Sequence, residues 1–269
     1  MTHNFGVLLV VLAAIISSGV SASAQAQQPS PTSSQAEPLL LPSNLEISAI
    51  PYFWLPLTST SVHPFNPRIS TASNTIDPYQ LISHLTWVPF MGAAEIRDGP
   101  LGLVVDYLHA PLKAGVSTRN VLFGSGGAGL TIDTGSAMFL YRTLADPVQY
   151  VDVGLGMRAW SLVGDISLSQ GLLPPVSVSS GLSWADPLIG LRYHRDLGDG
   201  FGTTLYGDVG GFGIGAHIDW QILATIDCAL QPSTDLHAGF RSLNFNYAGA
   251  RAGFDVHLYG PIVSATFRF

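Results

Sequence analysis

Cysteine is all but missing from this chain. The single Cys228 cannot form an internal disulfide, so no stability comes from that source. Charge is also scarce, at 11% of residues against 47% apolar. Yet beyond residue 26 no apolar run reaches the ~18 residues expected of a spanning helix. High hydrophobicity without a helical span is what strands of alternating polarity produce. The net charge of −7 argues against nucleic acid as a partner. The eight histidines are scattered rather than set at metal-ligand spacing, so neither metal nor cofactor is expected.

The first 26 residues contain no Asp, Glu, Lys or Arg. An apolar run from Phe5 to Ile16 leads into Ala22-Ser23-Ala24-Gln25-Ala26, which offers A-x-A cleavage after Ala24 or Ala26. Residues 1–26 therefore read as a cleaved export signal; the run is too short for a membrane anchor. Residues 27–43 are rich in Pro, Ser and Gln and read as a flexible leader. Residues 44–269 show no second linker and form one domain.

Within that domain the dominant period is two. His217, Asp219, Gln221, Thr225 and Asp227 share one face with Leu223, and Ile218, Trp220, Ile222, Ala224, Ile226 and Cys228 share the other. That pattern holds over about the 9–11 residues of a tilted membrane strand. Similar alternation marks Val151–Ala159, Ile189–His194, Phe201–Val209 and Leu236–Arg241. Weaker strands are expected over Leu45–Leu57, Leu85–Arg97, Leu101–Ala110 and Leu130–Leu144. A last one covers Asp255–Phe269, with a bulge expected at Gly260-Pro261.

Short turns at Asp98–Pro100, Ala145–Pro147, Gly198–Gly200 and Gln231–Thr234 alternate with longer connections at 58–84, 111–129, 161–183, 210–215 and 246–253. The expected fold is all-β: a closed antiparallel transmembrane barrel of about ten strands in an up-and-down meander. Trp87, Tyr141, Tyr150, Tyr193, Phe201, Phe267 and Phe269 are expected in its interfacial girdles. With the export signal, this places the chain in the outer membrane of a Gram-negative bacterium. Its surroundings there are outer-membrane lipid and lipopolysaccharide. The terminal strand, alternating from Ser264 and ending on Phe269, is expected to engage the barrel-assembly machinery and to pair with the first strand.

The inward face would then carry Glu46, Glu95, Asp106, Asp152, Asp186, Asp208, Asp219 and Asp227 with Arg97, Arg158, Arg192, Arg241 and Arg268. A lumen of about ten strands is only slightly wider than the eight-stranded kind that side chains fill. A salt-bridged plug, or a narrow pore for small polar solutes, follows. A pore would need acids and bases on opposite walls.

Trp184-Ala185-Asp186-Pro187 with Gly190 and Arg192, Gly207-Asp208-Val209-Gly210-Gly211-Phe212-Gly213 followed by Trp220-Gln221, Gly239-Phe240-Arg241, Gly260-Pro261 and Phe267-Arg268-Phe269 together resemble a family of proteobacterial outer-membrane β-barrels of undefined function. The resemblance implies an architecture and a location rather than an activity.

Two alternatives stand beside this reading. One is a barrel-embedded hydrolase like the omptin proteases, with His217 as base and Asp219 as its partner at the outer rim, facing Asp106 and Asp208. The other is a soluble periplasmic lipocalin-like barrel, which would turn the apolar face inward. Three motif-like strings carry little. Asp133-Thr134-Gly135-Ser136 has no second copy to share a proton with. Gly124–Gly129 is followed by alternation rather than the helix a dinucleotide site needs. Ser83 and His84 are adjacent, so they face opposite sides of a strand.

Overall fold

The computed structural model describes residues 45–64, 72–76, 90–116, 123–249 and 252–269. The export signal, the leader, Ser83, His84 and Trp87 lie outside the described residues. The described elements are all strands: β1 (Leu45–Trp54), β2 (Leu57–Pro64), β3 (Ala72–Ile76), β4 (Phe90–Asp98), β5 (Leu101–Val116), β6 (Phe123–Ala145), β7 (Gln149–Gln170), β8 (Val176–Gly198), β9 (Phe201–Gly211), β10 (Ile218–Gln231), β11 (Thr234–Ala248) and β12 (Ala252–Arg268).

Ten of them, β1 and β4 to β12, form an antiparallel meander whose last strand pairs back with its first. Ser48 opposite Arg268 and Tyr52 opposite Ser264 fix the closing register, and the N–H of Phe269 donates to Ile47 at its end (2.9 Å). Beyond Trp54, β2 continues along the rest of β12 and folds back as β3.

The alternation sets the faces. Ile222 and Ile226 are each 55% exposed on the outer wall, whereas Asp219 is fully buried inside and Asp227 nearly so. The same parity puts Phe139, Leu155, Met157, Ile189, Leu191, Leu205, Phe240 and Val263 outside. So continuous an apolar girdle is far larger than the patches a soluble monomer exposes. The lipocalin-like alternative is thereby overturned, because it requires these side chains in the interior.

All four short connections fall at one end of the barrel, as expected. At the Asp199 turn, Gly198, Asp199 and Gly200 all have positive φ, which explains the two glycines. The carboxylate of Asp146 accepts from the N–H groups of Val148 and Gln149 (2.9 and 3.0 Å), building the next turn.

Elsewhere several expectations change. The segments 111–129 and 161–183, expected as connections, are largely strand: β6, β7 and β8 run for 23, 22 and 23 residues, about twice the length a bilayer crossing requires. Their outer parts are rich in Gly and Ser, so no apolar face marks them in the sequence. Tyr150, expected in a girdle, faces inward, with Arg142 stacked 3.8 Å above its ring.

The bulge expected at Gly260-Pro261 is also displaced. β12 keeps its register against β11 through both residues. The break falls on the facing strand, at Leu55-Pro56 between β1 and β2, where the N–H of Leu55 donates to Pro261 (3.1 Å) and the Trp54 indole donates to the Gly260 carbonyl (3.3 Å). A Cβ on Gly260 would lie 2.1 Å from the Leu55 carbonyl oxygen, so the kink in the facing strand requires glycine here. Gly260→Ala is expected to cost about 1–3 kcal/mol through overpacking. The check is a lower urea midpoint in lipid vesicles, and an unchanged midpoint would refute the close-packing account.

Candidate functional site

Side chains fill the lumen in layers. Nearest the short turns, the fully buried Asp152 accepts from three arginines: Arg97 (2.9 Å), Arg142 (2.8 Å) and Arg192 (2.7 Å). Arg192 reaches across the lumen from β8 to grip Glu95 on β4 with both terminal nitrogens (2.7 and 2.9 Å), and Arg97 donates to the same carboxylate (3.0 Å). Tyr150 packs beneath, with the His194 ring stacked 4.9 Å away.

Higher up, Arg158 on β7 is buried between Asp219 on β10 (2.5 Å) and Asp208 on β9 (2.7 Å). The Trp160 indole and the Tyr206 hydroxyl donate to those two carboxylates (2.9 and 2.7 Å). Arg241 on β11 donates to Gln221 (2.6 Å) and to the Tyr52 hydroxyl (3.0 Å). Tyr52 in turn donates to Asp106 on β5 (2.9 Å), which lies 3.3 Å from Arg241.

The expected lumen network is thus brought together around Glu95, Arg97, Asp106, Asp152, Arg158, Arg192, Asp208, Asp219 and Arg241. Acids and bases interleave, and the segregated walls of a pore are absent among the described residues. The remaining members sit apart. Asp186 bonds the Trp184 indole (2.9 Å) and the Ala216 N–H (2.6 Å), and closes a loop rather than an ion pair. Arg268 pairs with Asp235 at the turn end, and Glu46 is exposed beside it. Asp227 belongs to a different cluster. It accepts from Thr204 (2.6 Å), Thr225 (2.7 Å) and His237 (2.7 Å), and the far nitrogen of His237 lies 2.8 Å from the Thr266 hydroxyl.

The His217–Asp219 pair is not assembled. Asp219 is committed to Arg158 and Trp160, while His217 is exposed at the rim, its N–H bonded to the Asn246 carbonyl (2.8 Å). Asp208 meets Asp219 only through Arg158, and Asp106 turns to Arg241 instead. Asp133 of the protease-like string faces the outer wall, where it accepts from Tyr107 and lies 2.7 Å from His109. Gly124–Gly129 lies in strand β6.

Above the ionic layers is a feature the sequence reading missed. Trp54, Leu108, Trp160, Leu243, Phe245 and Ile262 form an apolar cluster in the lumen, with Trp184 and Tyr247 packed against it. Trp160 and Phe245 meet across the lumen at 4.5 Å between ring centres, and Trp184 and Tyr247 do so at 4.5 Å. The parity that turns Asp152 and Arg158 inward also turns Trp160 inward; carrying it two residues further would have found the cluster. Below this roof a cavity of about 370 Å³ runs from Tyr52, Arg241 and Ile262 down to Glu46 and Arg268 at the turn end. Among the described residues no group of three or more His, Cys, Asp or Glu side chains could hold a metal ion.

No protein-family model and no curated protein sequence matches the chain. Solved structures do. The outer membrane protease OmpT from Escherichia coli superposes with a TM-score of 0.50 at 9% identity, over 85% of this chain and 98% of that one. The transport unit of the Escherichia coli autotransporter AIDA-I gives a TM-score of 0.40 at 8% identity, over 87% and 93%. The attachment invasion locus protein Ail of Yersinia pestis gives 0.36 at 10%, over 84% and 98%. What is shared with OmpT is the fold. The chain is a closed, ten-stranded antiparallel barrel of the transmembrane kind.

Removing Arg158 would leave Asp208 and Asp219 buried without their counter-charge, a loss of about 3–5 kcal/mol. Arg158→Met should therefore lower the unfolding midpoint sharply, and adding Asp208→Asn and Asp219→Asn should recover most of it. Equal stability of the parent and Arg158→Met would show that the pair does not brace the wall.

Proposed function

We propose that this chain is an integral outer-membrane β-barrel of a Gram-negative bacterium with a structural role, its lumen closed to solute flow. The observation that carries this reading is the stacked closure of the lumen: interleaved ion pairs topped by the Trp54–Trp160–Phe245 cluster. A water-filled path would need the cross-lumen contacts broken. The apolar outer wall supports lipid and lipopolysaccharide as its surroundings, since hydrocarbon admits only a sheet without free edges. The terminal strand, zipped to β1 and ending on the exposed Phe269, supports recognition by the barrel-assembly machinery. In this orientation the short turns and the cavity mouth face the periplasm, and the extended β6–β7–β8 sheet stands on the outer surface.

The test is electrical. In a planar lipid bilayer the refolded protein should give no discrete conductance steps, and Trp160→Ala combined with Phe245→Ala should give small ones. Regular steps from the parent protein would sink the closed-lumen reading.

A further inference from the structure

The Asp227 cluster carries more than a strand-to-strand tie. Thr266, His237 and Asp227 stand in a row on three adjacent strands, β12, β11 and β10, and all three line the cavity. His237 Nδ1 lies 2.7 Å from Asp227 Oδ1, and His237 Nε2 lies 2.8 Å from Thr266 Oγ1. One tautomer satisfies both contacts: Nδ1–H donates to the carboxylate, and the bare Nε2 accepts the threonine proton. That is a hydroxyl aimed at a base, whose far side is held by a carboxylate. Asp227 is itself held by the hydroxyls of Thr204 and Thr225 (2.6 and 2.7 Å), with His194 Nδ1 3.4 Å from its second oxygen, so it has partners besides His237.

We propose that this row is an acyl-transfer site, with Thr266 as nucleophile, His237 as general base and Asp227 as the positioning residue, acting on small polar acyl esters that enter the cavity. Thr266 Oγ1 attacks the ester carbonyl carbon while its proton passes to His237 Nε2. Collapse of the tetrahedral adduct breaks the acyl–oxygen bond, and the departing alkoxide takes that proton. Water then attacks the acyl-threonine, giving one proton to His237, which returns it to the threonine oxygen as the acid leaves. Ser264 and Arg268 flank Thr266 on the same inward row of β12 and line the same cavity, Arg268 being paired with Asp235. The cavity volume of about 370 Å³ limits substrates to short acyl chains. Its charged lining favours polar ones over lipids.

The assay uses the full-length barrel in detergent micelles, where the site is open to solution whichever way the protein sits in a membrane. Its outcome is therefore separable from the conductance test. Folding of each variant is verified by the gel shift between unheated and boiled samples. The folded parent should hydrolyse p-nitrophenyl acetate and take a fluorophosphonate probe covalently on the peptide containing Thr266. Thr266→Val, which keeps the shape and removes the hydroxyl, should lower kcat at least 100-fold and abolish labelling, and Thr266→Ser should keep both. His237→Gln should lower kcat by ~10²–10⁴-fold, the usual contribution of a general base. Asp227→Asn should lower kcat more than tenfold with KM unchanged, which a merely structural role would not produce. A folded parent that neither turns over nor labels overturns the proposal, as does labelling that persists in Thr266→Val.

Discussion

The closing of β12 onto β1 is the constraint on which the rest depends. A backbone N–H or C=O facing hydrocarbon has no water to bond, so a sheet in lipid must have no edge. Closing the ring dictates that outward residues meet lipid and inward ones meet each other. The usual burial rule is thereby inverted: Ile222 and Ile226 half exposed outside, Asp219 and Asp152 wholly enclosed. The break at Leu55-Pro56 belongs to the same seam. It lets β1 close the lower part of β12 while β2 takes over above, and it is why Gly260 faces a carbonyl rather than open space.

The ring, the strand faces and the turn end were legible because a period of two is printed directly in the residue order. Gly198, Asp199 and Gly200 announce their turn, and His217 to Ala229 announces its wall. What was not legible has two physical causes. Partners across the lumen come from strands far apart in sequence, so nothing in the order of residues says that Arg192 meets Glu95 or that Arg241 meets Tyr52 and Asp106. Alternation also says which side a residue takes but not how far up the barrel it lies. His217 and Asp219 share parity, yet the first ends at the exposed rim and the second lies beside Arg158. The outer halves of β6 to β8 were hidden for a third reason. Outside the bilayer neither face need be apolar, and the alternating signal fades into serine and glycine.

The lumen divides polar from apolar along its axis, and each tier meets its own physical demand. Buried ions lose several kcal/mol each unless paired, and the lower network answers with two or three donors per carboxylate. The aromatic tier needs little beyond packing, and its three indole N–H groups are already bonded: Trp160 to Asp219, Trp184 to Asp186 and Trp54 to the Gly260 carbonyl. Asp219 therefore stands at the junction, bound by Arg158 from the ionic tier and by Trp160 from the aromatic one. A change there is felt by both.

This division also makes the barrel one-sided. A lumen filled evenly with ion pairs would leave no cavity, and one lined evenly with polar groups would admit water from both ends. Here the aromatic roof closes one end while Glu46 and Arg268 lie open at the other. Among the described residues the cavity therefore opens on the turn side. His237 lies at this open end, below the roof, and Asp227 beside it is held by threonine hydroxyls and imidazole rather than by an arginine. A carboxylate engaged by a guanidinium, as Asp152 and Asp219 are, is spent on bracing the wall. Asp227, held by hydroxyls, faces the imidazoles of His237 and His194 instead. The same residue type thus stands in two settings in one lumen, and the partners around it decide which.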